Sequence, residues 1–170
     1  SVSTDAVVAD SPLHSDFEYA RGFVVTPKAI AISAPKGRVV VLDRFTLRVV
    51  YESDDLLLGE QPWIDDDGST VMFLDRQSRL RVINVSDGND RIPPSEPVLT
   101  DPPASSLPQV VATLGMQTVL VSHRDGIEVL TLMDEAYVKT RSIATGYMTR
   151  ISIDPTGRVV AGNAYGDSQL

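Results

Sequence analysis

Cysteine is absent from all 170 residues. This excludes disulfides, zinc ribbons, iron–sulfur clusters and a thiolate nucleophile at once. Histidine occurs twice, as His14 and His123, so a histidine-rich metal site is excluded and any metal chemistry would fall to carboxylates. Basic residues are outnumbered, with 15 Lys and Arg against 23 Asp and Glu and a net charge of -8. That balance argues against a broad nucleic-acid or anionic-membrane surface, both of which need clustered cations. Arg far exceeds Lys, which suits interface ion pairs and would equally follow from a G+C-rich genome. No apolar run approaches the roughly 18 residues that span a bilayer. The opening Ser1-Val-Ser-Thr-Asp5 has no basic stretch leading into an apolar one, so no signal peptide is read, although a segment of a longer protein would look the same. No Gly-x-Ser-x-Gly elbow, phosphate loop or dinucleotide glycine pattern occurs. Nothing here fixes a compartment, and no cofactor is expected.

What is present is ordinary globular composition, 42% hydrophobic and 22% charged, arranged in a repeat. One unit runs Ile30-Ala-Ile-Ser-Ala-Pro-Lys-Gly37-Arg-Val-Val-Val-Leu-Asp43-Arg44 and on to Leu47-Arg-Val-Val-Tyr51. A second runs Pro62-Trp-Ile-Asp-Asp-Asp-Gly68-Ser-Thr-Val-Met-Phe-Leu-Asp75-Arg76 and on to Leu80-Arg-Val-Ile-Asn84. Leu-Asp-Arg followed by Leu-Arg-Val recurs in both. A third, more diverged unit covers Gln109 to Gly115 and Thr118 to Leu132, and a fourth covers Arg150 to Leu170. Each reads as strand, tight turn with glycine, strand, polar turn, strand. The runs are short and β-branched. Gly37, Gly68 and Gly157 supply the positive φ that hairpin turns need, and Asp154-Pro155 presets the last turn. Helical periodicity is weak, and its best stretch, Leu132 to Lys139, is short. The turn glycines at 37, 68, 115 and 157 suggest units near the 40–45 residues of a propeller blade, the first one short. The proline-rich stretch from Ile92 to Pro108 reads as an excursion between strands.

Met148-Thr-Arg-Ile-Ser-Ile-Asp-Pro-Thr-Gly157-Arg-Val-Val-Ala-Gly162 resembles the opening of a WD40-type blade, and the Leu-Asp-Arg…Leu-Arg-Val segments resemble the hairpin that follows in YVTN-type and quinoprotein-like propellers. The resemblance covers about residues 23 to 170. The Trp-Asp and Gly-His pairs of a standard WD40 blade are missing, which makes this a degenerate version. It implies an all-β fold of about three and a half blades, with a lead-in over 1–20 and blade-like units near 24–59, 60–107, 108–146 and 147–170. A ring needs about four to eight blades, so either the polypeptide continues past Leu170 or a homodimer closes one propeller.

The resemblance implies a non-catalytic scaffold that binds protein partners. Two alternatives stand beside it: a soluble propeller domain of a membrane transport or secretion component, and a propeller-class enzyme subunit of lactonase-like or quinoprotein-like type. Within the residues, Asp65-Asp66-Asp67-Gly68 is the densest acidic cluster and the one weak candidate for a cation, yet it lacks the alternating acids of a calcium loop and reads as a turn. Ser122-His123-Arg124-Asp125 is too compact for a hydrolytic triad, because strand neighbours point to opposite faces. Asp43-Arg44 and Asp75-Arg76 are read as equivalent blade positions, candidates for a ring of charge that docks a partner, or else for turn chemistry with weak ion pairs. Trp63 is a candidate interface anchor. Phe45, Tyr51 and Phe73 are placed in strands, with Phe73 in the core. Asn84-Val85-Ser86 is a glycosylation sequon, and Pro94-Ser-Glu-Pro97 matches a PxxP ligand but reads as linker.

Overall fold

A computed structural model describes residues 22–57, 60–100, 108–112, 114–123, 125–144, 150–153 and 159–162. The expected lead-in over 1–20, the turn at Asp154 to Gly157 and the terminal Ser168 to Leu170 lie outside the described residues, as do His14 and Arg124.

Three four-stranded antiparallel meanders follow one another. The first is β1 (Gly22–Val25), β2 (Ala29–Ala34), β3 (Arg38–Asp43) and β4 (Val49–Ser53). The second is β5 (Trp63–Ile64), β6 (Thr70–Leu74), β7 (Leu80–Asn84) and β8 (Asp90–Ile92). The third is β9 (Gln109–Ala112), β10 (Thr118–His123), β11 (Gly126–Met133) and β12 (Ala136–Ala144), and a two-stranded hairpin, β13 (Arg150–Ile153) and β14 (Val159–Gly162), comes after it.

The sheets stack face to face because their middle strands are apolar on both faces. β6 is buried along its whole length. Its side chains alternate: Val71 and Phe73 enter a core shared with Ala29, Ala31, Val39 and Val41 of the first sheet. Met72 and Leu74 enter another, shared with Val110, Val119, Val121 and Leu130 of the third. β10 repeats the device, with Leu120 packing beside Ile127 and Ile151 of the following hairpin. A strand covered on both sides reads as a continuous hydrophobic run, and that is what the repeat shows.

In a meander, successive turns alternate between the two ends of the sheet. The first-to-second and third-to-fourth turns lie at one end, the turn end. The second-to-third turns lie at the other, with the sheet-to-sheet connections: the Leu56 N–H donates to the Gly37 carbonyl at 2.9 Å, and the Val98 N–H to the Ser78 carbonyl at 2.7 Å. We call this the crossover end. The first strands of neighbouring sheets begin side by side, through a parallel bridge between Gln61 and Gln109 and a 3.1 Å bond from the Ile151 N–H to Gln109 Oε1.

This topology corrects the repeat register. First strands open at Gly22, Trp63, Gln109 and Arg150, intervals of 41, 46 and 41 residues. Leu42-Asp43 ends a third strand, whereas Leu74-Asp75 ends a second strand. The two motifs match because hairpins inside one sheet share the chemistry of hairpins in the next: an Asp closing a strand and capping a polar turn. Three smaller expectations also change. Leu132 to Lys139 is a β-hairpin with a two-residue loop, Asp134 (φ 48) and Glu135 (φ 65). Phe45 sits in the β3–β4 turn and is 72% exposed. The described part of the proline-rich stretch, residues 92–100, packs onto the fold. Ser95 Oγ accepts the Leu80 N–H at 2.9 Å, Pro97 bridges Arg79, and Val98 and Leu99 are core residues.

Candidate interaction site: an acid-rimmed trough across two sheets

At the turn end, four turns of the first and second sheets converge, each shaped by its own side chains. Thr26 Oγ1 accepts the Ala29 N–H at 3.1 Å and closes the β1–β2 turn. Asp43 Oδ1 accepts the Thr46 N–H at 2.7 Å, the Thr46 hydroxyl at 2.8 Å and the Phe45 N–H at 3.1 Å. In the β5–β6 turn, Asp65 accepts the Thr70 N–H at 3.0 Å and the Ser69 hydroxyl at 2.9 Å, and Asp67 accepts the Ser69 N–H at 2.9 Å. In the β7–β8 turn, Asn84 Oδ1 accepts the Ser86 N–H and hydroxyl, and Asp87 accepts the Asn89 N–H at 3.0 Å. These are Asx-type caps, the reason Asp and Asn suit such positions.

The turns interlock. The Val85 N–H donates to the Ser69 carbonyl at 2.9 Å. Gly68 (φ 73) lies so near the first sheet that a Cβ there would stand 2.8 Å from the Ala29 Cβ. Two hollows flank this seam. One, about 440 Å³, has Ala29, Val50 and Val85 in its wall with Lys28, Asp43 and Asp67 at its edge. The other, about 480 Å³, is walled by Asn84, Asp87, Asn89, Asp90 and Arg91. Ser69 lines both, so the two hollows adjoin, and we call them together the trough. Val50 in its wall is 46% exposed, and Phe45, in the same turn as Asp43, is 72% exposed.

The rim is anionic. Hydrogen bonds from the Thr46 backbone and hydroxyl hold Asp43 below its ordinary range. Hydrogen bonds from Ser69, with Lys28 adding its field, do the same for Asp67. Asp90 is matched by Arg81 at 2.7 Å, and Arg91 is turned onto the Thr70 hydroxyl at 2.8 Å. Among the described residues no cation stands within ion-pair distance of Asp43, Asp67 or Asp87. The arrangement can hold an apolar group on its floor and cations on its rim. Its carboxylates already accept turn hydrogen bonds, and no nucleophile or base is poised among them.

Topology separates the two charged pairs read as equivalent. Asp43-Arg44 is at the turn end, with Arg44 Nη1 donating to the Thr26 carbonyl at 3.2 Å. Asp75-Arg76 is at the crossover end. Asp75 is fully buried, accepting the Gln77 and Arg79 N–H groups at 2.9 Å and an Arg79 ion pair at 2.7 Å. Exposed Arg76 donates to the Lys36 carbonyl at 3.3 Å. They cannot form one ring of charge. Trp63 is half-buried and packs against the core between the second and third sheets. Asp66 is exposed in its turn, and among the described residues no group of three or more acids or histidines is placed around a common point. His123 Nε2 faces Glu128 Oε1 at 3.4 Å while its Nδ1 accepts the Asp125 N–H at 3.4 Å. Ser122 Oγ is buried without a partner, so no triad forms. Sequence reasoning missed two groups. Glu128 gathers His123, Lys139 and Ser142; strand pairing sets Ser142 directly opposite it, while His123 and Lys139 reach it diagonally. Glu60 is buried completely, and nothing in its sequence context marks it.

No family model and no curated protein matches the chain. Solved structures do. A chain in a mitotic checkpoint complex superposes with a TM-score of 0.66 over 84% of this chain at 9% identity. Kuenenia stuttgartiensis hydrazine synthase gives 0.59 over 95% at 18% identity, and KlHsv2 with loop 6CD replaced by a Gly-Ser linker gives 0.57 over 85% at 12%. All three are β-propeller proteins. The described fold is an incomplete β-propeller. At these identities the likeness establishes the fold alone, and the chain spans 45%, 45% and 44% of the three matched chains. Each four-stranded sheet is a propeller blade, and the trough crosses the seam between the first two. No helix among the described residues is long and apolar enough to cross a membrane.

Proposed function

We propose that this propeller segment is a protein-interaction module that docks its partner at the turn end, in the trough between the first and second blades. One observation carries the reading. A concave seam is lined by the apolar Ala29, Val50 and Val85, and the β3–β4 turn that supplies Asp43 to its edge also bears a 72%-exposed Phe45. Loops on a rigid sheet scaffold are where binding surfaces are built, and exposed aromatics on such loops are favoured anchors. Asp43 contributes to the rim, while the buried, Arg79-paired Asp75 belongs to the scaffold. The work of the site is recognition, since its acids are committed to capping turns.

The test is photo-crosslinking in the source cells. A benzophenone amino acid is placed at Phe45, at Val50, or at Arg76 on the crossover end. We expect one discrete adduct from positions 45 and 50 and none from 76. An adduct from Arg76 alone would overturn the reading and move the interface to the other end of the blades.

A further inference from the structure

Resting on that reading, we infer that the occupant of the trough is an extended peptide segment of the partner, carrying an aliphatic or aromatic residue flanked by Lys or Arg. The inference combines shape with charge. The two hollows adjoin at Ser69, one at the seam between the blades and the other beside the β7–β8 turn towards the outer edge of the second. A linear segment can follow such a path, seating one side chain on Ala29, Val50 and Val85 while its neighbours stay above the rim.

The rim decides the charge of those neighbours. Asp43, Asp67 and Asp87 present carboxylates with no cation within ion-pair distance among the described residues, and hydrogen bonds hold Asp43 and Asp67 ionised. Of the cations nearby, Arg81 is paired with Asp90 and Asp55, and Arg91 and Arg44 are held by the Thr70 hydroxyl and the Thr26 carbonyl. Lys28 alone among the lining residues of the first hollow sets a positive charge beside Asp43 and Asp67. Asp43, Asp67 and Asp87 outnumber Lys28 on this rim, so an acidic segment is opposed on balance and a basic one steered in and held. Because each carboxylate is fixed by its turn, little further order is lost when a guanidinium reaches it.

The probe is a random dodecapeptide library displayed on phage, selected on the whole chain and counter-selected on Val50→Lys, a change at an exposed position that leaves the cores intact and sets a positive charge against a basic occupant. We expect the selected peptides to be net basic, with an apolar residue between cations. Synthesised and followed by fluorescence anisotropy, they should lose about tenfold in affinity on Asp67→Asn/Asp87→Asn and lose affinity again in high salt. Asparagine keeps the oxygen that caps each turn, so the fold is retained. Acidic or uncharged winners, or winners indifferent to the Asn pair, would overturn the inference. If crosslinks at Phe45 persist alongside such a result, the docking surface stands and only the chemistry assigned to its occupant falls. Absent crosslinks together with basic, Val50-dependent winners would instead sink the docking surface as a cellular interface while supporting the peptide chemistry.

Discussion

At the scale of single residues, buried acids set the stability of the second blade. Glu60 is fully buried. Its Oε1 accepts the Leu74 N–H at 2.6 Å, and its Oε2 has no partner. Burial raises its pKa well above the carboxylate range; the Leu74 N–H opposes this and the nearby Asp75 charge adds to it. An acid whose folded pKa is raised binds a proton that the unfolded chain, with a carboxyl pKa near ~4.3, releases. Stability from Glu60 is therefore complete at low pH and declines as pH climbs from the unfolded value through the folded one. We expect urea midpoints to fall with pH across that range, and Glu60→Gln to flatten the slope while shifting stability by no more than about 1 kcal/mol at neutral pH. A wild-type midpoint as flat as that of the variant would contradict the burial of this carboxyl. Asp75, fully buried at the heart of a turn, accepts two backbone N–H groups and pairs with Arg79. Asp75→Ala should cost about 3 kcal/mol in urea unfolding, because it leaves those N–H groups without their acceptor and removes the ion pair.

At the scale of elements, the turns carry strain that substitution can measure. Gly68 and Gly115 share a positive φ, 73 and 74, but a Cβ at Gly68 would press on Ala29 and one at Gly115 would meet open space. Alanine at either position suffers the left-handed penalty of about 1 kcal/mol. Only Gly68→Ala should add a further 1 kcal/mol or so, by forcing the seam apart. Equal midpoint shifts for the two variants would mean that the blades are not in contact there. The β11–β12 loop offers the reverse experiment. Asp134 and Glu135 both hold positive φ, the requirement of a type I′ hairpin, for which Asn-Gly is the favoured pair. Replacing them by Asn-Gly should stabilise the chain by roughly 1 kcal/mol.

At the scale of the whole molecule, the cores are in series. The second blade lies between two of them, while the far face of the first carries Phe23 and Val25 at 67% and 50% exposure. Stacked repeats gain stability from each covered face. In hydrogen exchange we expect the amides of β6 and β7 to open last, ahead of β2 and β3, with β13 and β14 among the first. Uniform protection across all blades would show that the stack unfolds only as a unit.

Local chemistry settled much of this in the sequence. Two-sided apolar runs such as Val71 to Leu74, separated by Asp- and Gly-bearing turns, dictate short strands covered on both faces, and that is already a propeller pattern. Tertiary structure alone decided which turn faces which end. Asp43 and Asp75 have the same neighbours in sequence, because both close a hairpin, but an odd number of strands separates them, and antiparallel order sends them to opposite ends. The trough was illegible for a related reason: Ala29, Val50, Gly68 and Val85 come from two sheets and become neighbours only when those sheets stack. Glu60 left no trace in the sequence either. A carboxylate in a connection reads as solvated until the Leu74 N–H and the surrounding core close over it.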